Sequence, residues 1–232
     1  MAEMIEWVIS VGDETTRAVY EPATSDEQHA VFVCAHGAGG NMMDRSTLAA
    51  ANALRKHGFG VVRFNFLYKE KGSGRPDPMP KLMATFSAVV DRVRAELKPE
   101  TMAIGGRSMG GRAASMLAAG GFDADGLLLL AYPLHPEGQP AKLRDAHLPQ
   151  ITMPVICFNG TRDGLCTPEW MNRAVATVEC PWEMHWIDGA DHSFHVLKSS
   201  GRNDAAVLVE VGDAAERWLA TISRRGESTS KE

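Results

Sequence analysis

Apolar runs of strand length alternate with helical patterns along this chain from about residue 30 onward. Ala30 to Ala35, Gly60 to Phe66, Met102 to Gly105, Gly126 to Tyr132, Val155 to Asn159 and Trp182 to Ile187 have strand length. Between them lie helix-forming stretches: Leu48 to His57 before Gly58, Lys81 to Leu97 before Pro99, Met109 to Ala119, and a last one from about Asp204 to Ser223. In the second of these, Met83, Phe86, Val90, Val93 and Leu97 recur at three- and four-residue spacing, the period of a helix with one apolar face. Strands that are apolar throughout cannot present a polar face to water. Separated by helices, they predict a mostly parallel sheet of about seven to eight strands, covered on both faces. Residues 4–20 fit an antiparallel leader. The Gly-, Pro- and charge-rich stretch Lys69 to Pro80 fits a mobile loop. A single domain over residues 1–223 is expected, with a polar, disordered tail over 224–232.

The whole-chain quantities set limits on function. The chain has 232 residues, 44% hydrophobic and 23% charged, an ordinary globular balance. With 24 basic and 29 acidic residues the net charge is −5, too mild to imply nucleic acid or an anionic membrane surface as partner. Cys34, Cys157, Cys166 and Cys180 show no Cys-x-x-Cys spacing, so reduced thiols, no metal site and a cytoplasmic location are expected. The N-terminus has neither a basic region nor a long apolar core, and no apolar run approaches 18 residues, so neither a signal peptide nor a membrane span is expected. Oligomeric state is not encoded in any pattern of this sequence.

One of the strand-to-helix junctions carries chemistry. Gly106-Arg107-Ser108-Met109-Gly110 has the form Gly-x-Ser-x-Gly, with a strand before it and an alanine-rich helix after it. A serine there can be forced into a tight turn that lifts its hydroxyl above the sheet, and side chains two residues to either side would collide across the bend. A serine hydroxyl needs a base, and the base needs an anionic partner. Asp163 follows the strand ending at Asn159, and His192 lies in the loop after the strand ending at Ile187. The order Ser108, Asp163, His192 is that of a nucleophile-elbow hydrolase. His185, inside a strand, and His195, near the next helix, compete with His192; Asp188 and Asp191 compete with Asp163 but precede the histidine in its own loop. Thr167-Pro168-Glu169 looks like a helix start. Two backbone amides should hold the oxyanion formed on attack. The first is that of Met109. The second comes from the glycine-rich loop His36-Gly37-Ala38-Gly39-Gly40, with Ala38 preferred over Gly37 and Gly39; His36 is expected to order this loop. The 22 residues of 133–154 are too few for a multi-helix lid. A modest pocket bounded by Leu134, Trp170, Phe194 and the loop after Tyr68 is expected, suited to a small acyl substrate. Arg107 has two readings: a contact for an anionic substrate group, or a surface salt bridge.

These residues together resemble the α/β-hydrolase superfamily, over about residues 28 to 222. Within it, His36-Gly37-Ala38-Gly39-Gly40, Arg63-Phe64-Asn65-Phe66-Leu67-Tyr68, Gly105 to Arg112, Tyr132-Pro133-Leu134-His135-Pro136 and Gly160-Thr161-Arg162-Asp163 resemble a branch of dienelactone-hydrolase-like proteins. That branch also includes hydrolase-like regulatory subunits of an animal histone-acetyltransferase complex. The resemblance implies an α/β-hydrolase fold and acyl hydrolysis; the short 133–154 segment adds the expectation of no large lid, and with no cofactor loop in the sequence no cofactor is expected. Serine replaces the cysteine nucleophile of dienelactone hydrolases proper, which sets dienelactone aside as the implied substrate. Carboxylic esters are the expected substrates; peptides, thioesters or lactones, or a non-enzymatic binding role on the same fold, are the alternatives.

Overall fold

The computed structural model describes residues 3–229. Eight strands form one sheet: β1 (Ile5–Val11), β2 (Glu14–Glu21), β3 (Ala30–Ala35), β4 (Phe59–Phe64), β5 (Met102–Arg107), β6 (Gly126–Leu130), β7 (Val155–Gly160) and β8 (Trp182–Ile187). Six α-helices accompany them: α1 (Arg45–Arg55), α2 (Leu67–Glu70), α3 (Met79–Leu97), α4 (Met109–Ala119), α5 (Pro168–Val175) and α6 (Asp204–Thr229). The strand order is β1-β2-β4-β3-β5-β6-β7-β8. β1 and β2 pair antiparallel, as does β2 with β4, and the other pairs are parallel. The central strands β3, β4, β5, β6 and β7 are buried at every position, which is why they read as continuous apolar runs.

Side chains alternate across the sheet and build two cores. On one face Val33, Val62, Ile104 and Leu129 pack against α3, α4 and α5. On the other Phe32, Leu128, Ile156 and Phe158 pack against α1 and α6. The buried stripe of α3 is Leu82, Thr85, Phe86, Val89, Val90 and Val93. Met83 and Leu97, expected on that stripe, lie at its border and are only partly buried. The helix starts two residues earlier than expected, with Pro80 in its first turn, where a missing N–H costs nothing. This start and α2 take up both ends of the expected 69–80 loop. β6 ends at Leu130, short of Tyr132, because Ala131 turns the chain with φ +53°.

The final helix runs to Thr229, past the expected end at 223. No proline interrupts it, and Gly226 alone costs about 1 kcal/mol of helix stability. The polar tail expected over 224–232 thus begins along α6, and 230–232 lie outside the described residues. Among the described residues no helix is long and apolar enough to cross a membrane, and the four cysteines are free, three of them buried.

The segment 133–154 is tied down rather than domed over the sheet. It holds one 3-10 turn, Leu148–Gln150. The Tyr132 hydroxyl donates to the Arg144 carbonyl at 2.7 Å, and the Arg144 amide donates to the Leu134 carbonyl at 2.7 Å. His147, within this segment, holds it to α4, its Nε2 2.8 Å from Ser115 Oγ. Burial, with the nearby Arg112 charge, lowers its pKa from 6.5 to about 4. The unfolded chain therefore binds a proton between these values that the folded chain refuses. Stability from this residue is complete above pH 6.5 and declines as pH falls toward 4. Urea unfolding at pH 7 and pH 4.5 is expected to show a smaller pH-dependent loss in His147→Gln than in the parent; equal losses would assign the effect to other groups.

Candidate active site

Ser108 occupies the one-residue bend between β5 and α4. Its backbone has φ +50° and ψ −116°, a conformation that costs a non-glycine residue about 1–3 kcal/mol and needs its surroundings to enforce it. Those surroundings are specific. The Ser108 amide donates to the Leu130 carbonyl at 2.9 Å, and the Arg112 amide donates back to the Ser108 carbonyl at 3.0 Å. A Cβ on Gly106 would stand 2.2 Å from the Ala35 carbonyl oxygen, and one on Gly110 would stand 2.6 Å from the same atom. Both glycines are therefore required for β5 and α4 to press this closely on β3.

The loops after β7 and β8 bring the other two candidates to the serine. His192 Nε2 lies 2.9 Å from Ser108 Oγ, and His192 Nδ1 lies 2.8 Å from Asp163 Oδ2. The Asp163 side chain is fully buried, while that of His192 is 29% exposed, so the imidazole is open to solvent and the carboxylate is not. Asp163 Oδ1 accepts the Leu165 amide at 2.8 Å, and Oδ2 also accepts Asn159 Nδ2 at 3.2 Å. Asn159 is itself clamped: its Oδ1 accepts the Tyr132 amide and its Nδ2 donates to the Tyr132 carbonyl, each at 3.1 Å. Sequence reasoning missed this role. The available signal was an amide side chain near the end of an otherwise apolar strand, four residues before the acid.

The histidine loop is closed at its base by a bridge between Ala190 and Val196. Asp191 stiffens it from inside, accepting the Ser193 hydroxyl and the Ser193 and His195 amides. Burial alone would raise the Asp191 pKa; these hydrogen bonds outweigh it and hold the carboxyl below its ordinary value. The competing groups are occupied elsewhere. His185 pairs with Glu210 at 2.8 Å, His195 with Asp204 at 3.0 Å, and Asp188 lies beside Thr161.

The glycine loop after β3 stands next to Ser108, with an ideal Gly37 Cβ 3.5 Å from Ser108 Cβ. His36 orders it. Its Nε2 accepts the Phe66 amide at 3.2 Å, which leaves Nδ1–H to donate to the Gly37 carbonyl at 2.7 Å. Burial lowers its pKa and favours this neutral form. Gly40 N–H also donates to the Gly37 carbonyl, at 3.1 Å. In a trans peptide the N–H points opposite the C=O, so these two bonds aim the Ala38 amide away from His36. Tyr68 completes the loop, its hydroxyl donating to the Ala38 carbonyl at 2.8 Å; burial raises its pKa to about 12 and keeps that proton in place. Met109 N–H is the first amide of α4, where the helix offers no carbonyl to receive it.

A family described as the alpha/beta hydrolase domain matches this chain over residues 28–220. The chain belongs to the α/β-hydrolase family. Solved structures agree in fold with this α/β-hydrolase. An α/β serine hydrolase homologue from Coxiella burnetii is 21% identical, with a TM-score of 0.73 over 92% of this chain and 96% of that one. A member of the α/β serine hydrolases without lid, from Xanthomonas campestris, is 21% identical, with a TM-score of 0.74 over 94% and 96%. A dienelactone hydrolase from Anabaena variabilis is 18% identical, with a TM-score of 0.71 over 94% and 97%.

The residues expected around the substrate are placed unequally in this α/β-hydrolase. Leu134 is fully buried, packed in the core beside Tyr132. Trp170 on α5 is half-buried, with Arg173 stacked over its ring at 4.8 Å. Phe194 is buried with φ +65°. Arg107 is not at the surface, as the salt-bridge reading required: it is 8% exposed, and among the described residues no carboxylate lies within salt-bridge distance. Its Nη2 donates to the His192 carbonyl at 2.5 Å, and its guanidinium lies 5.3 Å from the Phe194 ring centre. Alternation along β5 sends Arg107 to the opposite side of the sheet from Gly106, under the histidine loop.

Proposed function

We propose that this α/β-hydrolase is a serine hydrolase that cleaves small or short-chain carboxylic esters through an acyl-enzyme. The observation that carries this reading is the unbroken hydrogen-bond chain Ser108–His192–Asp163, at 2.9 and 2.8 Å. Ser108 Oγ attacks the ester carbonyl while His192 Nε2 takes its proton. Asp163 stabilises the imidazolium and fixes its Nδ1–H. The carbonyl oxygen becomes an oxyanion held by the Met109 and Ala38 amides, each such donor lowering the barrier by about 3–4 kcal/mol. Collapse expels the alcohol, which leaves with the proton from His192. Water then gives a proton to His192, attacks the acyl group and releases the acid, and the proton returns to Ser108.

The limit to small acyl groups rests on the tethered 133–154 segment, whose single 3-10 turn provides no roof for a long chain. The same geometry serves thioesters, lactones and peptides, so substrate choice is tested directly. A fluorophosphonate probe is expected to label Ser108, with the mass shift on the peptide that contains it. A panel of p-nitrophenyl esters, thioesters, lactones and amino-acid amides is expected to give the highest kcat/KM on C2–C4 esters. Absence of labelling would favour a non-enzymatic scaffold, and faster turnover of long-chain esters would refute the small-pocket reading.

A further inference from the structure

A cavity of about 430 Å³ lies on the face of the sheet covered by α1 and α6, beneath the histidine loop. Its walls come from Ala49 and Ala50 of α1, Ala205 and Leu208 of α6, and Phe194, and they are mainly apolar. Ser108 is not among the lining residues, so the cavity is separate from the space where the nucleophile points. Its size is that of a small-molecule site.

The charged groups of this cavity are out of balance. Arg107 lines it, is 8% exposed, and makes its one hydrogen bond among the described residues with a neutral carbonyl, that of His192. Arg45 also lines it and is exposed. One carboxylate reaches the wall, that of Asp204, and it is already engaged by His195 at 3.0 Å and by the Val196 amide at 3.1 Å. The hydroxyls of Ser46 and Ser193 donate to Asp44 and Asp191. A buried guanidinium offers five N–H donors, and removal of such a charge from water without an ionic partner is costly. Asp44, Asp163 and Asp191 pull on this charge from a distance, yet burial outweighs them and lowers the Arg107 pKa.

We infer that this cavity binds a small organic anion, with its carboxylate or phosphate-type head on Arg107 and its apolar body against Ala49, Ala50, Phe194 and Leu208. The buried cation supplies the charge recognition and the apolar walls supply the rest. The site is distinct from the acyl site, and binding does not depend on turnover.

Phenylphosphonate is a suitable probe, because ester hydrolysis cannot generate it. Calorimetric titration of the full chain is expected to show saturable one-site binding, retained when Ser108 has been phosphonylated and the modification verified by mass. Ala205→Glu places a carboxylate at an exposed position on the rim and is expected to weaken binding at least about tenfold. Ala49→Phe fills the cavity and is expected to do the same. Arg107→Gln is expected to abolish binding, but Arg107 also holds the His192 loop, so the two alanine variants decide. No saturable heat at millimolar phenylphosphonate would overturn the proposal, as would unchanged affinity in folded Ala205→Glu. Binding that survives Ala49→Phe and disappears on blocking Ser108 would place the anion in the acyl site and overturn it equally. Failure of Ser108 to take the phosphonate would count against the esterase reading and would leave the binding result standing on the variants.

Discussion

Replacing Ser108 with alanine is expected to lower kcat for p-nitrophenyl acetate on the order of 10⁴–10⁶-fold while the protein remains folded. The magnitude follows from the role proposed for one atom. Oγ is the group that would form the acyl bond, and His192 Nε2 at 2.9 Å is placed to take its proton. Alanine keeps the Cβ and accepts the same φ +50° turn, so the elbow and its bonds to Leu130 and Arg112 survive. Residual rate would come from the oxyanion amides and binding alone. Because serine and histidine act as a unit, Ser108→Ala combined with His192→Ala is expected to be little worse than either single change. Active-site titration and steady-state kinetics check this, with circular dichroism as the control for folding. Retention of most of the activity in Ser108→Ala would remove the proposed nucleophile.

Gly106→Ala is expected to destabilise the fold on the order of 3–5 kcal/mol. Two separate effects combine. Gly106 has φ +140°, a conformation that L side chains avoid. Its added Cβ would meet the Ala35 carbonyl oxygen at 2.2 Å and the Ala35 nitrogen at 2.6 Å. Both neighbours are backbone atoms of β3, the strand paired with β5, so no side chain can rotate away. Relief requires the centre of the sheet to open, against a total stability typically of 5–15 kcal/mol. Gly74→Ala is the matched control: it has nothing within 4 Å and no positive φ, and is expected to change stability by less than about 1 kcal/mol. Urea unfolding measures both. Similar stabilities for the two variants would mean that the close contact of β5 with β3 is not required.

The two effects act at neighbouring positions for a physical reason. A side chain raised above a sheet needs a turn too tight for its neighbours' side chains, and the same tightness brings Ser108 beside Gly37 of the loop after β3. Glycine at 106 and 110 is therefore the structural condition for Ser108 to stand where His192 can reach it.

Much of this arrangement was legible in the sequence. The all-apolar strands followed from burial on both faces, and the order of serine, acid and histidine followed from strand ends at Asn159 and Ile187. Local patterns set these features, because hydrophobic periodicity and turn chemistry depend on neighbours in sequence. Element boundaries were less legible. The stop expected at 223 yielded to a helix reaching Thr229, and β6 ended before Tyr132.

What only the tertiary structure decided is how distant side chains meet. Asn159 clamps Asp163 across the Tyr132 backbone, Tyr68 fixes the Ala38 peptide, and Arg107 turns under the sheet edge to hold the His192 carbonyl. Each contact joins groups about 30 or more residues apart in sequence, apart from Asn159 at the end of β7 and Asp163 in the loop that follows it. Their partners are mostly backbone atoms, which carry no residue-specific signal. The sequence by itself determined a mostly parallel sheet with a tight glycine-flanked turn at Ser108, since periodicity and two glycines suffice for that. The close packing of β3, β5 and the loops after β7 and β8 decided which polar groups are paired, and left the Arg107 charge without an ionic partner beside a cavity.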